Sequence, residues 1–328
     1  MYAAAIVALL AGVCVAGGCA KLGPSPPSGA GVGVVADTVA TVDASEQPTQ
    51  TDAATSVPGL PPLPAPLWGV TVDSIDDVPA IVGSLKHLGL AHKPTARIVF
   101  DRDQPPAYYA AALTAIHPHS WVMGELLDSQ FVGEVTVSAY IARTNAYLAA
   151  FPDTVDLWEI GNEINGEWLI TKGGSAADVV AKMTGAYAAV HAAGKRTALT
   201  LYLNPECWSD PKHEMFQWVS AHVPPTMRGG LDYVLVSYYE DDCNGLQPDW
   251  PAVFAKLRAM FPTAALGVGE CGTNKAGLKA AYIQRYYGMK VDVPGYVGGY
   301  FWWYFYQDMV PDSKALFGKL FAAMGGKP

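Results

Sequence analysis

The stretch from Trp158 to Trp168, WEIGNEINGEW, sets two carboxylates, Glu159 and Glu163, and the amide of Asn162 into an apolar run that otherwise reads as a buried strand. An ionised carboxylate in a sheet or barrel core is costly unless it is paired or used. Another acid, Glu270, ends a second apolar run, ALGVGE. Two carboxyl groups that meet in one cavity, one protonated and one ionised, can cleave a glycosidic acetal: the acid protonates the departing oxygen while the carboxylate attacks the anomeric carbon. Their mutual repulsion helps to keep one proton on the pair.

Such a pair needs two elements that aim it at one point. From Leu67 onward short β-rich runs alternate with longer segments of helical period, the pattern of repeated βα units. Eight candidate strands are LWGVTV, ARIVF, SWVMGE, VDLWEIG, TALTLYL, DYVLVSYY, ALGVGE and GGYFWWYF, the last over 298–305. Segments such as VPAIVGSLKHLG and AADVVAKMTGAYAAVHAAG lie between them and end at Gly, as helices do. Eight units over 67–328 predict an α/β fold, a (β/α)8 TIM barrel. A doubly wound sheet is the other reading, but no Gly-rich phosphate loop follows the first strand. In a barrel, Glu163 and Glu270 fall at the carboxyl ends of the fourth and seventh strands, where active sites of this architecture gather.

Composition narrows the partners. The chain has 328 residues, 51% of them hydrophobic, enough for a large packed domain; a net charge of −9 with only 21 Lys and Arg argues against nucleic acid. Residues 3–18 form an uncharged apolar run too short to span a bilayer, so 1–19 reads as an export signal. VAGGC, ending at Cys19, resembles the lipobox of bacterial lipoproteins. That resemblance implies membrane attachment through a lipidated Cys19, an ordinary secretory signal being the alternative. Residues 20–66, rich in Pro, Gly, Ser, Thr and Ala, read as a flexible linker. Cys207 and Cys243 could form a disulfide in an oxidising compartment, leaving Cys271 free. The cysteines lack zinc-site spacing, and His117, His119 and His213 read as surface or loop residues, so no metal is expected.

With Asn162–Glu163 at the fourth strand, Glu270 at the seventh and YFWW in the eighth, the chain resembles the clan A retaining glycoside hydrolases from Leu67 to about Met324. The resemblance implies that Glu163 is the general acid/base, Glu270 the nucleophile, and Asn162 the amide that binds the sugar 2-hydroxyl. It further implies that Arg97 keeps the nucleophile ionised, that Tyr239 or else Tyr238 bonds it, and that Trp303 or else Trp302 floors the sugar subsite. Glu125 and Trp168 are further candidate sugar contacts. Glu159 reads as a buried residue paired with a base or water, and Glu167 as a solvated loop charge.

The expected reaction is double displacement on a β-linked, neutral poly- or oligosaccharide, by a monomer without a cofactor. GNEINGEW and SYY resemble phrases of the endo-β-1,4-galactanase family, from which GECGTN departs. Two alternatives remain open: a catalytically inactive carbohydrate-binding envelope lipoprotein of the same fold, and an envelope scaffold acting through protein contacts.

Overall fold

The computed structural model describes residues 60–171 and 174–327. The signal expected over 1–19 and the linker up to residue 59 lie outside the described residues. Eight parallel strands close into a barrel: β1 (Leu67–Val72), β2 (Thr95–Val99), β3 (Trp121–Glu125), β4 (Leu157–Gly161), β5 (Thr197–Tyr202), β6 (Tyr233–Tyr238), β7 (Ala265–Cys271) and β8 (Tyr296–Trp302). The first seven lie within two residues of the sequence reading. The eighth is shifted: it starts earlier and stops at Trp302, and Phe305 opens a short helix, Phe305–Met309. Tyr300 and Phe301 sit at φ +75° and +36°, a conformation that sequence alternation does not announce.

The connecting helices carry the expected end signals. Helix Val78–Leu88 starts at Asp77, whose carboxylate accepts the Ala80 N–H at 3.0 Å, and it buries Ile81, Leu85 and Leu88 on one face. Helix Ala176–Ala192 starts with a reciprocal Ser175–Asp178 capping box and buries Val179, Met183, Ala186 and Val190. These faces cover the outside of the barrel, where alternate strand residues such as Ile98, Ile160 and Val236 point.

Inside, the barrel is filled in layers. An apolar plug of Leu67, Met123, Leu157, Ala198, Leu235 and Phe301 closes the amino-terminal end. Leu63 joins it at 4% exposure, with its N–H 2.6 Å from the Tyr233 hydroxyl. At Leu63 the chain is already packed on the barrel floor. Two residues beyond Met123, Leu157, Ala198 and Leu235, on the same face of each strand, stand Glu125, Glu159, Thr200 and Ser237. The inward face thus changes from apolar to polar in one pleat.

Glu270 reaches that polar layer by an irregularity. Val236 pairs with Val268, but Ser237 pairs with Glu270, so Gly269 is an extra residue in β7. A straight strand would turn Glu270 outward with Leu266 and Val268. The bulge instead aims it into the barrel, and Cys271 takes the outward place, its Sγ 2.8 Å from the Tyr300 carbonyl. Gly269 has no room for a side chain, since a Cβ there would lie 2.6 Å from Leu235 Cβ and 3.1 Å from Thr200 Cγ2. Gly269→Ala is therefore expected to destabilise the fold by about 1–3 kcal/mol. Gly318→Ala, in an exposed helix with nothing within 4 Å, is expected to stabilise it by up to about 1 kcal/mol. Urea midpoints of the two variants moving in the same direction would contradict this account of the bulge.

Candidate active site

Arg97, inward on β2 and fully buried, is the centre of the polar layer. Its Nε lies 2.7 Å from Glu159 Oε2 and its Nη2 3.1 Å from Glu159 Oε1, a bidentate pair. Nη1 donates to Glu270 Oε2 at 2.7 Å, and Nη2 also stands 3.1 Å from Glu125 Oε2. The Thr200 hydroxyl completes Glu159 by donating to Oε1. Glu159 thus has the buried base expected for it. Arg97 does not pair with the neighbouring Asp103, which binds Arg102 instead.

Burial alone would weaken the Arg97 charge, but Glu125, Glu159 and Glu270 overcome it and hold its pKa well above the ordinary guanidinium value. The same cation cannot satisfy every acid. Neither oxygen of Glu125 accepts a hydrogen bond, and burial drives its pKa well above the carboxylate range in spite of Arg97. The expectation that Glu125 contacts sugar is not met: it is fully buried against the guanidinium.

Glu270 and Glu163 have unlike surroundings. Glu270 accepts from Arg97, from the Tyr239 hydroxyl at 2.5 Å on Oε1, and from Asn162 Nδ2 at 3.4 Å on Oε2. Burial raises its pKa, and Arg97 and Tyr239 oppose the rise. The depressed value expected from Arg97 is not reached, because desolvation outweighs the cation. Among the described residues Glu163 has no cation beside it; burial and then the charge of Glu270 push its pKa well above the usual range, against hydrogen bonds from Ser237 and Ser129. Of the two, Glu163 is the stronger holder of a proton. Glu163 also adopts φ +44°, a strained conformation for a side-chain-bearing residue.

The remaining candidates separate by parity. Tyr239 points to Glu270, whereas Tyr238 turns outward and gives its hydroxyl to the Leu246 carbonyl. Burial and the neighbouring Glu270 charge keep the Tyr239 phenol protonated, its pKa well above the ordinary value. Trp302 is fully buried with Nε1 3.1 Å from Asp308 Oδ2, and Trp303 is half-buried with its ring centroid 5.6 Å from the Arg97 guanidinium. Trp303 forms one wall of a cavity of about 180 Å³ that Asp73, Asp101, Asp128 and Phe131 also line. Arg97, Asn162, Glu163, Tyr239, Glu270 and Trp303 thus gather at the carboxyl end of the barrel.

Loops complete the setting. Cys207 and Cys243 form a disulfide that ties the segments after β5 and β6. Asn165, fully buried, bonds the backbone of Tyr202 on both sides, at 2.7 and 2.9 Å, and the His213 carbonyl at 2.9 Å. His213, in the segment after β5 and so the loop residue expected, is buried, with Nδ1 2.7 Å from the Asn165 carbonyl oxygen. Glu167 is more than a solvated charge, since it accepts the Asp210 N–H at 2.6 Å. Trp168 is half-buried and donates from Nε1 to Ser129 Oγ at 3.0 Å. Ser129 and Ser237, which bond both oxygens of Glu163, were not expected from the sequence. Only Ser237 had a signal, being two residues before Tyr239 on the same face.

No family model matches the chain, and no curated protein matches it in sequence. Solved structures share its fold. Gas2p of Saccharomyces cerevisiae, in complex with laminaritriose and laminaritetraose, is 13% identical over 80% of this chain with a TM-score of 0.50, and the chain spans 65% of that protein's length. A second Gas2 structure, with a compound bound, is 13% identical over 80% of this chain and 64% of its own, with a TM-score of 0.52. A family 1 β-glucosidase from Thermotoga maritima is 9% identical over 72% of this chain and 87% of its own, with a TM-score of 0.47. The likeness is one of fold, the closed eight-stranded parallel barrel.

Glu125 yields a test of the electrostatics that needs no substrate. A carboxyl with a raised folded pKa contributes stability that is present below its unfolded pKa and is lost as pH rises from the ordinary carboxylate range through the raised folded value. Glu125→Gln, neutral and of the same shape, is expected to flatten that decline and to melt higher than the unaltered protein at alkaline pH. Thermal unfolding across pH 4 to 9 checks it, and an unchanged slope would mean that Glu125 is ionised in the fold.

Proposed function

We propose that the chain is a retaining glycoside hydrolase that cleaves β-glycosidic bonds of a poly- or oligosaccharide by double displacement. The observation that carries this reading is the unlike environment of Glu163 and Glu270 at one end of the barrel. Glu270, bonded by Arg97 and Tyr239, is the nucleophile; Glu163, with no cation beside it among the described residues, holds the proton.

In the first step an oxygen of Glu270 forms a bond to the anomeric carbon. The bond from that carbon to the leaving oxygen breaks, and the leaving oxygen takes the Glu163 proton. In the second, Glu163 removes a proton from water, the water oxygen bonds the anomeric carbon, and Glu270 leaves as a carboxylate. Retention requires carboxyl groups about 5–5.5 Å apart. Supporting a short separation, Glu163 Oε1 lies 2.6 Å from the hydroxyl of Ser237, the residue paired with Glu270 across β6 and β7. Asn162 stands where an amide can bond the 2-hydroxyl, and the Trp303 face suits the C–H side of a pyranose.

The working compartment we infer is outside the cytoplasm. The Cys207–Cys243 disulfide supports it, as does the apolar segment that ends at Cys19. Aryl β-glycosides, laminari-oligosaccharides, and plant and bacterial glycans form the substrate panel. Cleavage is expected with retained anomeric configuration in the first product seen by NMR, and Glu163→Gln and Glu270→Gln are each expected to lose at least about 10²-fold in kcat/KM. Full activity in either variant, or an inverted first product, would remove this assignment. Glycan binding without product release would make the groove that of a carbohydrate-binding protein.

A further inference from the structure

We infer that Ser129 is a positioning residue for this site: with its hydroxyl orientation set by Trp168, it holds Oε2 of Glu163 as an acceptor. The inference rests on the reading of Glu163 as the acid.

A serine hydroxyl has one proton to give and two lone pairs. Indole N–H is a donor only, so the 3.0 Å bond from Trp168 Nε1 makes Ser129 Oγ an acceptor there. Ser129 is 2% exposed, and the acceptor within reach of its own proton is Glu163 Oε2, at 2.8 Å. Were Oε2 to carry the acid proton and donate it to Ser129, the hydroxyl proton would be left buried without a partner, an unfavourable state. Oε2 therefore accepts in both protonation states. The partner of Oε1, at 2.6 Å, is Ser237 Oγ.

Ser129 acts a second time through its backbone. Its N–H donates to Asn162 Oδ1 at 3.0 Å, which settles the amide orientation and turns Nδ2 toward Glu270 Oε2. One residue at the start of the short helix Ser129–Val132 thereby orders both the acid and the amide beside it. Trp168 is itself held edge-on by Tyr202, with ring centroids 5.2 Å apart.

The ionisable groups that face Glu163 are Glu270 from β7, Asp128 next to Ser129, Tyr202 from β5 and Tyr239 after β6. None of these four is a cation, so the two serine hydroxyls are what favours the Glu163 carboxylate.

The test uses the full chain with carbonyl-labelled glutamate, the Glu163 signal being assigned by its loss in Glu163→Gln. In Ser129→Ala the NMR titration of Glu163 is expected to move up by about one pH unit, as expected when one donor to a carboxylate is lost. The alkaline limb of kcat/KM should move with it. Trp168→Phe, which frees the Ser129 hydroxyl without removing it, should shift Glu163 in the same direction by less, and Ser129→Thr should restore the original titration. A Glu163 titration in Ser129→Ala that stays in place or moves down overturns the inference, as does a Trp168→Phe titration identical to that of the unaltered chain. Absence of hydrolysis by the unaltered chain would defeat the glycosidase reading, while the NMR titration would still decide the part of Ser129.

Discussion

A single guanidinium enclosed among carboxylates is the constraint around which the inside of this barrel is arranged. Four glutamates share the polar layer with Arg97, and three of them touch it. Were all four ionised, the buried cluster would hold three uncompensated negative charges, and removing even one charge from water costs several kcal/mol. Protons must remain on some of them. Glu159 has two bonds from Arg97 and one from Thr200; Glu270 has one N–H from Nη1; Glu125 and Glu163 are left with the weakest claim. A buried ion pair of this kind is poor value as a source of stability, since apolar residues of similar volume often serve as well. Its presence above an apolar plug that already closes the barrel points to a purpose other than packing.

Rank, more than absolute value, is what such a cluster sets. Burial raises Glu125, Glu163 and Glu270, so none of these three reaches the depressed value of a simple surface ion pair. Arg97 and Tyr239 lower Glu270 relative to Glu163, and the charge of Glu270 then raises Glu163 further. A division of labour between two chemically identical side chains follows from a difference in neighbours, with the same low dielectric amplifying both effects.

Much of this was readable in the chain because strands and barrels impose simple rules. Glu163 and Glu270 stand at strand ends in apolar surroundings, and the alternation of βα units places those ends on one rim. What could not be read turns on parity and on loops. Counting alternate residues along β7 turns Glu270 outward, and only the Gly269 bulge corrects it, a feature that depends on Leu235 and Thr200 pressing from neighbouring strands. The choice between Tyr238 and Tyr239, or between Trp302 and Trp303, needed the same knowledge of register. Glu125 has the strand-end position of a ligand contact, yet a neighbour two strand positions away in space, Arg97, draws it sideways into the core. Ser129 gave no signal, because its part depends on an indole from the segment after the next strand.

The two irregularities nearest the chemistry share a physical origin. Regular parallel strands deliver one inward side chain per two residues, which is too sparse to surround a carboxylate on each oxygen. The extra residue in β7 brings Gly269 and Glu270 inward together, so the acid gains its place beside Ser237 without a bulky neighbour below it. At the end of β4 the left-handed φ of Glu163 reverses the chain direction at once, and Asn162 and Glu163 can both face the cavity although they are adjacent in sequence. Each departure costs stability, about 1–3 kcal/mol for a residue held in such a conformation. The surrounding bonds hold it there: the Ser129 N–H to Asn162, the serine hydroxyls to Glu163, and Asn165 to the backbone of Tyr202. Density of polar groups at the rim is thus obtained by breaking the strand rule at two points, and the hydrogen bonds that secure those points are the same ones that set the protonation of the acids.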